Sequence, residues 1–226
     1  MSSFLMPIHE EFFWKLKEVN ERMNLLVSEG MLRWSEATEE AQWMAWEDYG
    51  QPLARHVQLD KVIDKENIHG WLYERLLRVE CREAAFMAYL AERVGLEAYE
   101  MGKEVYFEDG LREGRIERSR AGIVSSPLEI YKKLRYHLLN GMPCDQIDEV
   151  LEDSPDVCHI HKITISQRKA WGRTNVDALQ MEEMYVTWVK GFYSAFEPEY
   201  VMTVEKNGLE VDFFIKKKIS IDLFED

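Results

Sequence analysis

Cysteine is scarce in this 226-residue chain, and the three present, Cys81, Cys144 and Cys158, are odd in number and widely spaced. A disulfide framework is therefore not expected, and a reducing, cytoplasmic setting fits better. Long apolar runs are missing. None approaches the ~20 residues that span a bilayer. The start, MSSFLMPIHEEFF, has no basic segment leading into a long apolar one, so neither a signal peptide nor a membrane role is expected. Positive charge is also short: 28 basic side chains stand against 42 acidic ones, for a net charge of −14. The only tight basic cluster is Lys216, Lys217 and Lys218, which reads as a solvated strand end. Phosphate backbones require clustered Lys and Arg, so nucleic acid is not an expected partner. No P-loop and no paired CxxC zinc motif occurs.

Apolar periodicity is plentiful. Hydrophobic residues make up 46% of the chain, with seven Trp, ten Tyr and ten Phe. That content predicts a filled core or an aromatic-lined pocket. Phe12, Leu16, Val19, Met23 and Leu26 form one stripe of a helix over 8–28, with Gly30 at its end. A second helix over 35–48 places Trp43 and Trp46 on one face, which reads as core. The third, over 67–93, carries Leu72, Leu76, Val79, Phe86 and Leu90. Glu83 lies on that stripe and Glu80 one turn before it. A short helix over 97–107 precedes a Gly- and charge-rich stretch, 108–122, read as a mobile loop or linker. Ser126, Pro127 and Glu129 open a helix with a capping box, and Asn140-Gly141 ends it. A short acidic helix is expected near 144–152.

After Pro155 the period changes to two. Residues 157–166 alternate, with Val157, His159, His161, Ile163 and Ile165 on one face, read as directed to the core. A helix over 176–196 follows, with Met181, Tyr185, Trp188, Phe192 and Phe196 along one side. Two strands joined at Asn207-Gly208 come next, and a last strand over 219–224. The predicted class is α+β, a helical N-terminal part (1–122) packed on a small C-terminal antiparallel sheet of β-α-β-β order (123–226), forming one compact unit.

Three groups of residues suggest chemistry. His159 and His161 leave one strand face ~6.6 Å apart and can reach a common metal ion such as zinc. Glu80 or Glu83 would supply a carboxylate, giving His159, His161 and Glu80 as the candidate ligands. Without a metal, His159 and His161 suit acid–base work with Glu83. Arg173, at a strand-to-helix turn, can hold a substrate carboxylate. The plainer readings are hydrogen-bonded core histidines, a surface arginine, and glutamates neutralised in solvent by Arg78 and Arg82.

The block ALQMEEMYVTWVKGFYSAFEPEYVMTVEKNGLEVDFFIKKK, with AYEMGKEVYFEDG upstream, resembles the L-2-amino-thiazoline-4-carboxylic acid hydrolase-like family, and is similar to 4-vinyl reductase-like ligand-binding domains. The resemblance covers about 90 residues and implies a small-molecule pocket between helices and sheet. Where that family carries cysteines, this chain has residues such as Trp171 and Asp212, so a mechanism needing those thiols is not implied. Two readings of function follow. One is a hydrolase-like enzyme for a small acidic or amide-type substrate. The other is a non-catalytic ligand-binding or sensor domain with an aromatic-lined pocket. A homodimer is compatible with both.

Overall fold

The computed structural model describes residues 5–122, 124–197 and 199–218. Five helices come first: α1 (Pro7–Arg33), α2 (Ser35–Tyr49), the single turn α3 (Leu59–Val62), α4 (Ile68–Val94) and α5 (Glu97–Ala121). Helix α6 (Pro127–His137) leads into strands β1 (Asp148–Asp153) and β2 (Val157–Lys162). A short α7 (Arg168–Trp171) and the long α8 (Ala178–Ser194) follow, then β3 (Tyr200–Asn207) and β4 (Glu210–Lys217). The strands form one antiparallel sheet in the order β1-β2-β4-β3. The α+β class and the placement of the sheet at the C-terminal end match the sequence reading. The strand order gains β1, so the series is β-β-α-α-β-β.

One apolar core joins the two parts of the chain. It runs from Met23 and Leu26 of α1 through Phe86 and Leu90 of α4 to Phe192 of α8 and Ile215 of β4. The stripes of α1, α4 and α8 are buried as their periodicity requires, and Glu83 is buried with the α4 stripe. Helix α6 starts on Ser126, whose hydroxyl accepts from the Glu129 amide at 3.4 Å, while the Glu129 carboxylate accepts from the Ser125 amide at 2.8 Å. The helix ends earlier than expected, at His137 with Leu138 extended at its C-cap, and Gly141 takes its φ of +68° in the segment beyond rather than as the helix stop.

Several expectations are corrected. Gly30 lies inside α1 rather than ending it. The stretch 108–122 is not a linker, because α5 continues through it to Ala121. Its glycines serve a close helix crossing: a Cβ on Gly110 would lie 2.1 Å from the Trp188 carbonyl oxygen and one on Gly114 2.3 Å from that of Phe192, while on the α8 side a Cβ on Gly191 would lie 2.2 Å from the Phe107 carbonyl oxygen. Trp43 is exposed, and α2 packs instead through the small residues Thr38, Ala41 and Ala45. Residues 148–153 are a strand, since the outer edge of β2 needs hydrogen-bond partners and this segment supplies them. The β3–β4 turn centres on Gly208-Leu209, with Gly208 at φ +62°. The strand expected at 219–224 lies outside the described residues.

The facing of β2 is the reverse of the one expected. Cys158, Ile160 and Lys162 point inward, opposite Ile215, Phe213 and Val211 of β4, and His159 and His161 point outward. The inward set carries only two apolar residues besides a lysine, so the alternation in this strand alone could not fix the face. The purely apolar partners on β4 do.

Candidate functional site: a buried chamber around Glu80

Helix α4 places Glu80 and Glu83 one turn apart in the interior, at 4% and 7% exposure. They line a small cavity of about 30 Å³ shared with α1, α5, α7 and α8. Room for on the order of two water molecules is available there. Arg22 enters from α1, with Nε 3.7 Å from Glu83 Oε1. Its guanidinium carbon lies 4.9 Å from the ring centre of Tyr106 and 5.5 Å from that of Trp188. The Trp188 indole donates to Asp109 at 2.8 Å, and Arg112 holds the other Asp109 oxygen at 2.6 Å. Tyr185, Met181, Trp171, Leu138 and Gln167 also line the chamber. The Gln167 side-chain amide donates to the Leu139 carbonyl at 2.5 Å.

The electrostatics of the two glutamates differ. Glu83 is pushed up by burial, but Arg22 and the Tyr106 hydroxyl beside it pull the other way. Among the described residues no cation offsets the burial of Glu80. Burial raises it to about 8, and the negative charges of Glu83 and Asp145 add to the rise. Glu80 therefore favours its neutral form at pH 7, and among the described residues its Oε1 has no hydrogen-bond partner. The Tyr185 hydroxyl is likewise without a partner, and burial followed by the Asp148 charge keeps it strongly protonated. For Arg22, burial alone would favour proton loss. Tyr106, Glu83, Asp109 and Glu18 together outweigh burial and keep it charged.

Leu138 lines the chamber on the side of α6. It also lines an open cleft of about 320 Å³ between the start of α1, α6 and the 140–148 segment. Lys15, Lys132, Arg135 and Asp148 edge that cleft. Behind Asp148, the buried Lys162 is brought down to about 8 by burial, which Asp148 partly opposes.

The sequence-derived constellation is not assembled. His159 and His161 lie on the outer face of the sheet, 20% and 23% exposed at their side chains, and both bond the same oxygen of Asp212, at 2.7 and 3.0 Å. Burial alone would raise the Asp212 pKa, but the two histidine hydrogen bonds hold it below its ordinary value. The His159 ring stacks on Phe214 at 4.2 Å. Glu80 and Glu83 are in the helical interior beyond the inner face of the same sheet, so the trio His159, His161 and Glu80 does not meet. Among the described residues no group of three or more His, Cys, Asp or Glu is placed to hold a metal ion. Arg173 is exposed, and its backbone carbonyl accepts from the Tyr49 hydroxyl at 3.3 Å. Arg82 reaches the Gly50 carbonyl and Asn20 rather than either glutamate.

Arg22, Tyr106 and Tyr185 complete the chamber, with Asp109 held behind it by Trp188 and Arg112; the sequence reading placed Tyr185 only on an apolar helix side and gave the others no role. Arg22 borders Met23 on the α1 stripe. Tyr106 and Asp109 share one face of α5 with Gly102, Gly110 and Glu113, a pattern that a continuous helix over 97–121 would have displayed.

No family model matches the chain, and no curated protein matches it. Among solved structures, that of a mutant of T. tengcongensis H-NOX is similar over 92% of this chain and 99% of its own, at 13% identity and a TM-score of 0.43. A second, concerned with the function of heme distortion in the H-NOX family, covers 91% and 98%, at 14% identity and a TM-score of 0.41. Likeness at this level carries no inference about what this chain binds. Among the described residues no helix is long and apolar enough to cross a membrane.

Proposed function

We propose that the chain is a non-catalytic small-molecule-binding domain whose ligand places an amine, amidine or guanidine group beside Glu80. The single observation that carries this reading is a buried carboxyl group that lines a cavity and, among the described residues, has no hydrogen-bond partner for Oε1 and no cation acting on it. Leaving such a group unpaired costs about 1–3 kcal/mol, and perturbed acids beside cavities are frequent at binding sites. A cationic group bonded to Glu80 would favour its ionised form and supply the missing partner. Turning Leu138 aside would join the chamber to the outer cleft, giving the space of an ordinary small-ligand pocket. The resemblance to 4-vinyl reductase-like ligand-binding domains implies a pocket between helices and sheet, whereas this chamber is lined by helices and the segment after α6 and rests on its own geometry. The hydrolase reading loses its support from His159 and His161, which are half-buried on the outer face of the sheet and held by Asp212, and from Arg173, which is exposed.

The test is thermal melting at pH 7 with a panel of small alkylamines and guanidines at fixed ionic strength. A ligand at a hundred times its Kd stabilises by about 2.7 kcal/mol, or roughly 5–10 °C for a chain of this size. The rise is expected in the wild type and lost in Glu80→Gln, with the ligand recovered unchanged. Equal rises in both proteins, or turnover of the ligand, would contradict the proposal.

A further inference from the structure

A second feature of α4 lies around the helix from Glu80. Arg75, Arg78 and Arg82 recur at spacings of three and four, which puts them on one face, and Lys17 of α1 joins them. With Asn20, Gln51 and apolar residues they line a small groove of about 20 Å³. In a chain with 42 acidic side chains, not one of the groove's lining residues is Asp or Glu. Arg78 pairs with Glu74, at 2.5 Å, on the exposed surface. Among the described residues neither Arg75 nor Arg82 has a carboxylate within ion-pair distance. Arg82 is 3% exposed, and its two terminal nitrogens are spent on the Gly50 carbonyl (2.8 Å) and the Asn20 side chain (2.5 Å). The Nε atoms of Arg75 and Arg82 are both buried and without a partner. Trp71 lies under the Arg75 guanidinium at 4.9 Å, and Phe13 under the Lys17 ammonium at 4.6 Å. These rings hold the cations in place without neutralising them.

Like charges in this arrangement repel one another, and the arginines that face the groove register it. Burial brings Arg82 down to about 10, with Arg75 and Arg78 adding to the fall against the pull of Glu83. Arg75 is lowered by burial and then by Arg78. An anion in the groove removes both the repulsion and the missing partners.

We infer that this groove is an oxyanion site that takes a phosphate group, either free or as the monoester of a small molecule. Guanidinium forks suit the tetrahedral oxygens of phosphate, and the exposed Arg78 marks the side on which the rest of a monoester would stay in solvent. The site is independent of the chamber at Glu80.

The test is calorimetric titration with inorganic phosphate, and separately with glycerol phosphate, at constant ionic strength set with chloride. Saturable binding is expected, weakened at least tenfold in Arg75→Gln/Arg78→Gln. Without phosphate, that double variant is expected to melt no lower than the wild type, because repulsion is relieved. The single Arg78→Gln change, at an exposed position, gives the same test should the double variant fold poorly, with affinity reduced at least threefold. A Lys216→Gln/Lys217→Gln control should bind as the wild type does, and Glu80→Gln should too, which separates this inference from the chamber. Binding of glycerol phosphate much tighter than phosphate would identify a monoester as the ligand. Phosphate acting no differently from chloride, or binding undiminished in the arginine variants, would overturn the inference.

Discussion

Glu80 should dominate the pH dependence of stability. Its carboxyl group titrates near its ordinary value of 4.5 in the unfolded chain and at about 8 in the folded one. Between these values the folded state keeps a proton that the unfolded state has released, so stability falls as pH rises through this window and levels off above 8. At about 1.4 kcal/mol per unit, the loss approaches roughly 5 kcal/mol as an upper bound. In urea titrations from pH 5 to 9, Glu80→Gln should match the wild type near pH 5 and exceed it by several kcal/mol at pH 9. A parallel decline in both proteins would mean that Glu80 is not the group responsible. Arg22 has the opposite importance, because removing it leaves Glu83 without its cation. Arg22→Met should cost about 3–5 kcal/mol, read as a melting point lower by roughly 6–20 °C, with the deficit larger at pH 8 than at pH 5. Sequence showed the unusual position of Glu83 on an apolar stripe. It could not show that Arg22, 61 residues earlier, would be its partner, because nothing local ties α1 to α4.

At the scale of elements, the α5–α8 crossing is the tightest contact and the one that sequence reading missed. Gly102, Gly110 and Gly114 break the helical pattern by composition, yet they are there because side chains do not fit against α8. Gly110→Ala gains up to about 1 kcal/mol of helix propensity but drives its methyl group into the Trp188 carbonyl. A net loss of about 3 kcal/mol or more in denaturant unfolding is expected. Gly172→Ala is the control: its Cβ would meet backbone oxygens at 3.5 and 4.0 Å, so a change within about 0.5 kcal/mol is expected. The β2 histidines were misplaced for a related reason. A strand with His, Lys and Cys interleaved among few aliphatics has two faces of similar polarity. Only pairing with Val211, Phe213 and Ile215 decides which one is buried. The strands of the C-terminal hairpin were legible because Gly208 and clean alternation on β4 agree.

Across the whole molecule, the division near residue 122 is a connection between helices α5 and α6 and not a break in the core. Phe86, Tyr106, Trp188, Phe192 and Ile215 belong to one cluster. Urea unfolding followed by far-ultraviolet circular dichroism and by Trp fluorescence should therefore give one coincident transition. Separate midpoints would show that the helical part and the sheet unfold independently. The same continuity places the chamber where α1, α4, α5 and α8 converge, beside Leu138. The central claim, a protonated and unpartnered Glu80 awaiting a cationic group, is tested most directly by carbon-13 NMR of carboxyl-labelled glutamate across pH 4–10. One resonance should titrate near pH 8, vanish in Glu80→Gln, and shift to below pH 6 when a stabilising amine or guanidine is added. If every glutamate titrates below pH 6 in the free protein, or the resonance near pH 8 ignores every such compound, the chamber is a structural void and the proposed binding function fails.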